Sequence, residues 1–150
     1  MNQPEPRILD FIREHHIFTL AVSRDGQPWC ATCFYIYDAE RNLFVFTSGE
    51  DTRHIKDMTE TGHYGAAGAI ALETKMTGKI RGIQFTGRVS RLEGPGLRSA
   101  RKQYVSKFPV AQFTRLTLWG LEPDMIKMTD NRLGFGKKII WKAGRPEEGN

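Results

Sequence analysis

The 150-residue sequence has only two cysteines and no apolar run near the ~20 residues that a membrane-spanning helix needs. It also lacks the charged-then-apolar leader of an exported protein. We therefore expect a cytoplasmic protein with no membrane partner. A chain of this length buries a core without a metal or a disulfide, which predicts one domain over residues 1–150.

Several motifs of known chemistry are also missing. The four histidines lack the H-x-x-x-H and H-E-x-x-H spacings that bring two imidazoles to one metal ion. There is no G-x-S-x-G turn, no G-x-G-x-x-G after an early strand and no G-x-x-x-x-G-K-[ST] loop. These absences disfavour a preassembled metal site, a serine hydrolase and a Rossmann or P-loop nucleotide site. A haem would need only one axial histidine, which spacing cannot reveal.

The segment Cys30-Ala31-Thr32-Cys33 has the C-x-x-C spacing of redox and zinc sites. It lies in a predicted strand, where residues three apart point to opposite faces of the sheet. No second cysteine pair is present to complete a tetrahedral metal site. We therefore expect neither a disulfide nor zinc at this motif.

The charge distribution limits the class of partner. The formal net charge is +5, with lysine and arginine interspersed among the acidic residues. This balance favours anionic partners, but the absence of a basic block argues against a nucleic-acid partner. Residues 95–108 form a predicted helix with a basic face, which a solvated surface explains more simply than a nucleic-acid interface: Arg98, Arg101, Lys102 and Lys107.

The hydrophobic pattern predicts a mainly β protein with flanking helices. Strands are predicted at residues 17–23, 29–37, 43–47, 64–72, 79–92, 114–121, 124–129 and 139–141, and helices at 7–16, 51–61 and 95–108. Asp25-Gly26 is typical of a hairpin turn between the first two strands. The long strand at 79–92 carries Gly82 and Gly87, which indicate bends that let a sheet close into a barrel. Residues 144–150 are polar and predicted to form a frayed tail.

Hydroxyl and basic side chains gather where the third predicted strand meets the next helix: Ser48, Thr52, Arg53, His54 and Lys56. The first turn of a helix is partly positive, so basic residues there are poorly placed unless an anion lies nearby. This favours a phosphate site. The alternative is that Ser48 and Asp51 form a capping box, while Glu50 and Asp51 neutralise the basic side chains.

Four strings of the sequence resemble the uncharacterised bacterial YhbP-like family of the pyridoxamine 5'-phosphate oxidase-like superfamily. They are Thr52-Arg53-His54, RGIQFTGRVSRLEG from Arg81, SKFPVA from Ser106 and IKMTDNRLGFGKKIIW from Ile126. The resemblance implies a homodimer of six-stranded antiparallel split barrels, with flavin mononucleotide (FMN) in the groove between subunits. A flavin-dependent oxidoreductase acting on an unidentified small molecule follows as the expected function.

The same resemblance implies a set of flavin-binding residues: Cys30, Ala31, Thr32, Cys33, Phe46, Thr47, Thr52, Arg53, His54, Gln84 and, from the facing subunit, Trp119. The sequence departs from the oxidases, which resemble one another in an arginine at the position of Cys30 and a lysine at that of His54. Gln84 is also displaced by two residues along its strand. Histidine is mostly neutral at pH 7, which would weaken phosphate binding. The alternative is a homodimeric ligand-binding or structural protein on this scaffold that has lost flavin.

Overall fold

Seven antiparallel strands and three α-helices make up the described part of the chain, residues 2–144 of a computed structural model. The strands are β1 (Ile17–Arg24), β2 (Gln27–Asp38), β3 (Leu43–Thr47), β4 (Gly65–Ala71), β5 (Arg81–Arg91), β6 (Leu118–Asp130) and β7 (Lys138–Lys142). The helices are α1 (Pro6–Glu14), α2 (Arg53–Thr59) and α3 (Gly94–Lys107). The mainly β prediction is confirmed. Apart from Gly144, the predicted tail lies outside the described residues.

The barrel closes where β3 meets β6. Neighbouring strands follow the order β3-β2-β1-β4-β5-β6-β7, and β3 pairs with β6 as well. Phe44 lies opposite Leu121 and Thr47 opposite Leu118, so six strands form a closed ring. β7 pairs with residues 125–129 of β6 and lies outside that ring. The expected six-stranded barrel is therefore present, with a seventh strand added beside it.

A β-bulge between β5 and β6 corrects one prediction. Residues 114–121 and 124–129 were expected to form two strands, but β6 is one continuous strand. Thr86 faces Met125 while Gly87 faces Pro123, so Asp124 is an extra residue in the ladder. A bulge tolerates proline, which is why Pro123 does not end the strand. Gly87 is required there, since a Cβ at this position would lie 2.3 Å from the carbonyl oxygen of Glu122.

Aromatic side chains fill the main core. The rings of Phe44 and Phe85 stack with their centroids 4.4 Å apart. Along β1, burial alternates with the pleat and turns Phe18 and Leu20 inward. α1 packs its buried residues against the same cluster, whereas α3 covers a second cluster on the outer side of β2, β3 and β6. No helix within residues 2–144 combines the length and hydrophobicity needed to cross a membrane.

Candidate functional site

One edge of β2 is open next to the start of α2. β1 pairs with β2 from residue 27 to residue 34, but β3 pairs only with residues 35–38. The opposite edge of residues 27–34 therefore has no strand partner among the described residues. An unpaired edge presents backbone donors and acceptors to a ligand or to another chain.

The hydrogen bonds around β2 establish which backbone groups face the open edge. The N–H of Tyr35 donates to the carbonyl of His16 on the β1 side, at 3.0 Å. Because these groups alternate along a strand, the N–H and C=O groups of Cys30, Thr32 and Phe34 point away from β1. The carbonyl of Phe34 accepts a hydrogen bond from the Tyr104 hydroxyl at 3.3 Å. Cys30 and Thr32 therefore supply the open backbone groups, whereas those of Ala31 and Cys33 face β1.

The two cysteines lie on opposite faces of β2, as predicted: Cys30 is exposed and Cys33 is buried. Burial raises the pKa of the Cys33 thiol to about 11, although a hydrogen bond with Ser48 opposes the shift. The thiol is thus protonated and unreactive near neutral pH. Residues 2–144 also contain no group of three or more histidine, cysteine or acidic side chains placed to hold a metal ion.

Ser48 and His54 join the end of β3 to the first turn of α2. The Ser48 hydroxyl lies 2.7 Å from Nε2 of His54. Thr52, not Ser48, is the N-cap residue, and its hydroxyl donates to the carbonyl of Gly49 at 2.7 Å. The capping box of Ser48 and Asp51, the alternative to a phosphate site, is therefore not formed, because the Ser48 hydroxyl contacts His54. Burial lowers the pKa of His54, while Asp57 raises it to a smaller extent, so the imidazole is neutral at pH 7.

Arg53 is held by contacts that the sequence analysis did not identify. Its guanidinium carbon lies 4.0 Å from the centroid of the Trp29 ring, on β2. Its Nε lies 3.7 Å from Oδ2 of Asp57, a buried oxygen with no hydrogen-bond donor among the described residues. Arg53 is therefore balanced by Asp57, four residues later on the helix, whereas Glu50 pairs with Arg91. About half of the Arg53 side chain stays exposed, at 53%.

The remaining strand-end residues lie inside the protomer. Phe46 is fully buried in the core, and the Thr47 hydroxyl donates to the carbonyl of Thr117 at 3.1 Å. Trp119 is 3% exposed, and its indole N–H donates to the carbonyl of Ser48 at 3.0 Å. Trp119 therefore supports the loop that carries Ser48 and packs within its own barrel.

Gln84 is not brought to this region. It lies on β5 between Ala69 of β4 and Lys127 of β6. The register runs from Gln84 through Ala69 and Thr19 of β1 to Thr32, so two strands separate Gln84 from the β2 edge. At about 4.8 Å between neighbouring strands, that separation is roughly 14 Å across the sheet. One protomer thus assembles the β2 edge with Thr52, Arg53 and His54, but not with its own Gln84.

The comparison with known proteins begins with relatives in sequence, since no protein-family model matches the chain. The UPF0306 protein YhbP of Escherichia coli O157:H7 (strain EC4115 / EHEC) is 39% identical over 138 residues, which are 92% of each chain. A UPF0306 protein of Klebsiella pneumoniae (strain 342) is 41% identical over 132 residues, or 88% of each chain. The chain belongs to the UPF0306 family. The YhbP-like resemblance expected from the four strings is therefore confirmed.

Solved structures share the fold of this UPF0306 chain at low sequence identity. A heme-binding protein from Mycobacterium smegmatis has a TM-score of 0.74 and 18% identity, and the match covers 93% of this chain and 59% of that one. An FAD-binding protein from Mesorhizobium loti gives 0.66 and 14%, over 81% and 89% of the two chains. A candidate pyridoxamine 5'-phosphate oxidase from Listeria innocua gives 0.63 and 13%, over 80% and 93%. The fold is the pyridoxamine 5'-phosphate oxidase-like split barrel.

Proposed function

We propose that this UPF0306 protein is a homodimer that binds FMN and acts as a small flavin-dependent oxidoreductase. The observation that carries the proposal is the open edge of β2, where the backbone groups of Cys30 and Thr32 face away from β1. Backbone donors and acceptors alternate along this edge. The pyrimidine edge of a flavin presents two carbonyl acceptors on either side of an N–H donor, which such a row complements.

Arg53 and Thr52 are the groups that would bind the FMN phosphate. Trp29 and Asp57 fix the guanidinium of Arg53 from two sides, so little side-chain entropy remains to be lost on binding. Its outer N–H groups are free to form charge-assisted hydrogen bonds with a phosphate. His54 is neutral and bonded to Ser48, so it positions the loop and adds no charge.

The proposed dimer accounts for Gln84 and for exposed apolar residues on the sheet. A second copy would supply its own Gln84 to the site, since β1 and β4 separate Gln84 from the β2 edge within one protomer. Apolar side chains on three strands are about half exposed in the protomer: Ile17 (44%), Phe34 (53%) and Ile140 (58%). Burying such residues against another subunit is favourable. In the dimer, FMN would supply hydride or electron transfer, while the chain orients it and excludes water.

A homodimer that has lost flavin is the second candidate, and the charges at the start of α2 favour it. Asp57, which lies 3.7 Å from Arg53 and 3.9 Å from Arg24, partly offsets the charge of Arg53, and burial keeps His54 uncharged. Cys30 supplies no fixed charge to the β2 edge. The phosphate site would therefore contain one partly neutralised cation, where the resemblance to the oxidases implies three.

The test measures flavin binding, haem binding and molecular mass on one preparation of the protein. The purified protein is examined by visible absorption, titrated separately with FMN and with hemin, and sized by light scattering. A dimeric mass with saturable FMN binding supports the proposal. A colourless dimer that ignores both ligands supports the second candidate. A Soret band without FMN binding would instead place this chain with its heme-binding structural neighbour, and a monomer would overturn both candidates.

A further inference from the structure

A groove on the solvent side of α3 lies between this helix and the short 3₁₀ helix Pro109–Phe113 that follows it. Its volume is about 380 Å³, within the range of ligand-binding sites. The side chains that line it are Arg98, Arg101, Lys102, Val105 and Gln112. No residue of β2 or α2 is among them, so the groove is separate from the proposed flavin site.

Helical spacing places the three cations of this groove on one face of α3. Arg101, Lys102 and Val105 follow Arg98 by three, four and seven positions, which is the spacing of neighbours along one helix face. Arg98 and Lys102 are exposed, whereas Arg101 and Val105 are half-buried. At a rise of about 1.5 Å per residue, Lys102 lies roughly 6 Å beyond Arg98 along the helix axis, and Val105 lies roughly 4.5 Å further on. The groove thus presents two exposed positive charges and then an apolar side chain in one row.

The positive charges of the groove are not balanced by carboxylates within the described residues. Residues 94–121 contain five lysine and arginine side chains and no acidic one, so this stretch carries a charge as large as the formal net charge of +5. Arg98, Arg101 and Lys102 form no ion pair within residues 2–144. Like charges three or four positions apart destabilise a helix, and an anion bound between them would relieve this repulsion. The groove therefore favours a negatively charged ligand.

The dimensions and the apolar residues of this surface favour an acidic peptide segment. In an extended segment, alternate side chains lie on one face about 6–7 Å apart, close to the axial separation of Arg98 and Lys102. The next side chain on that face would then reach Val105. Val110 and Phe113 of the 3₁₀ helix are 77% and 81% exposed. Arginine and aromatic side chains are enriched at protein–protein interfaces, whereas a phosphate backbone offers apolar side chains no matching surface.

We propose that α3 and the 3₁₀ helix form a docking surface for a partner protein, which binds through an extended segment of pattern acid-x-acid-x-apolar. The two carboxylates form charge-assisted hydrogen bonds with Arg98, Arg101 and Lys102, and the guanidinium groups offer bidentate geometry. The apolar side chain packs on Val105 and on the aliphatic stems of the basic residues. Because the ion pairs are exposed, the affinity falls as the salt concentration rises.

The probe is a fluorescein-labelled peptide, Gly-Glu-Ser-Glu-Ser-Leu-Gly, which is titrated with the full chain at low ionic strength and followed by fluorescence anisotropy. One matched peptide has glutamine in place of both glutamates, and another has serine in place of leucine. The double variant Arg98→Gln/Lys102→Gln removes the two exposed cations of the groove. Arg13→Gln/Lys75→Gln makes the same two substitutions at exposed positions outside α3. Far-UV circular dichroism checks that each variant is folded.

The acidic peptide should bind, and the glutamine peptide should bind about tenfold more weakly or less. Loss of the leucine should weaken binding by about threefold. Arg98→Gln/Lys102→Gln should weaken binding of the acidic peptide by about three- to tenfold, whereas Arg13→Gln/Lys75→Gln should change it by less than about twofold.

Failure of the acidic peptide to bind the wild-type chain would overturn the proposal. Equal losses in the two double variants would also overturn it, since net charge alone would then explain the binding. Oligothymidylate and phosphatidylglycerol vesicles are titrated in parallel. If either binds more tightly than the peptide and loses this binding in Arg98→Gln/Lys102→Gln, the surface belongs to nucleic acid or to a membrane, and the proposal of a protein partner is wrong.

Discussion

Nε2 of His54 lies 2.7 Å from the hydroxyl oxygen of Ser48, and this contact ties the first turn of α2 to the end of β3. The imidazole is buried, so burial favours its uncharged form and lowers its pKa from the ordinary 6.5. Because folding lowers this pKa, the protein's stability is linked to pH through His54.

Stability should fall as the pH is lowered through the histidine range. Below pH 6.5 the unfolded chain binds a proton at His54 more readily than the folded chain does, so the free energy of unfolding decreases until the folded pKa is passed. His54→Asn should remove this dependence. Urea unfolding midpoints of both proteins measured across this range provide the check, and parallel curves would contradict the assignment.

Asp130 should show the acidic counterpart of this effect. Hydrogen bonds from Arg132 lower the pKa of this buried carboxylate to about 2, and Arg7 adds to the shift. The stabilisation that the charged Asp130 gives to the folded state is fully present above the ordinary pKa of 3.8. It is lost as the pH falls toward 2. At pH 7, Asp130→Asn should lower the free energy of unfolding by about 2–4 kcal/mol.

Asp10→Asn is the control for that substitution. Asp10 is paired with Arg13 on the exposed face of α1, at 3.8 Å. An exposed pair of this kind contributes less than about 1 kcal/mol. Similar losses in the two variants, measured by urea unfolding at pH 7, would show that burial of Asp130 is not the cause.

Gly87→Ala should destabilise the barrel by about 2–3 kcal/mol, because the added Cβ would meet the carbonyl oxygen of Glu122 at 2.3 Å. Backbone at a bulge between two paired strands cannot move aside easily. Gly78→Ala is the matched control, since nothing lies within 4 Å of a Cβ there. Thermal unfolding of both variants tests this, and equal midpoints would show that the bulge is more adaptable than the structure indicates.

Arg53→Ala should weaken FMN binding by roughly 1.5–3 kcal/mol, the value of hydrogen bonds to a charged group, if the proposed function is correct. Arg13→Ala removes the same charge from α1 and should leave the affinity unchanged. Quenching of FMN fluorescence measures both. An unaltered affinity in Arg53→Ala would remove Arg53 from the phosphate site, even with flavin bound elsewhere on the protein.

The two thiols should react at very different rates. Iodoacetamide should label exposed Cys30 of the folded protein, whereas Cys33 is buried and protonated, with a pKa near 11. Mass spectrometry should therefore find one label on the native chain and two after unfolding. Cys30→Ser should abolish native labelling, and a rapidly labelled Cys33 would contradict the burial of that strand face.

Much of the fold could be predicted from short segments of the sequence. Asp25-Gly26 was predicted to turn between β1 and β2, and both residues adopt the positive φ angles that such a hairpin turn needs. Gly87 was expected to mark a bend and lies opposite the bulge at Asp124 of β6. These features depend on a few adjacent residues, which is why the sequence alone is sufficient to predict them.

Contacts between distant segments could not be predicted from such short segments. The basic side chains at the start of α2 were read as a signal for phosphate, but Arg53 lies on Trp29, 24 positions earlier in the numbering. Asp57 was the available clue, since residues four apart on a helix commonly pair. The hydrogen bond from the Trp119 indole to the carbonyl of Ser48 likewise joins residues 71 positions apart, which no local pattern reveals.

The ring contact between β3 and β6 has a consequence for the newly made chain. Residues 44–47 pair with residues 118–121. This edge of β3 can therefore form its hydrogen bonds only after more than 70 further residues have left the ribosome. Sheets joined by such distant segments have high contact order and fold slowly. During synthesis, the apolar strand β3 would therefore stay exposed and could be bound by a chaperone.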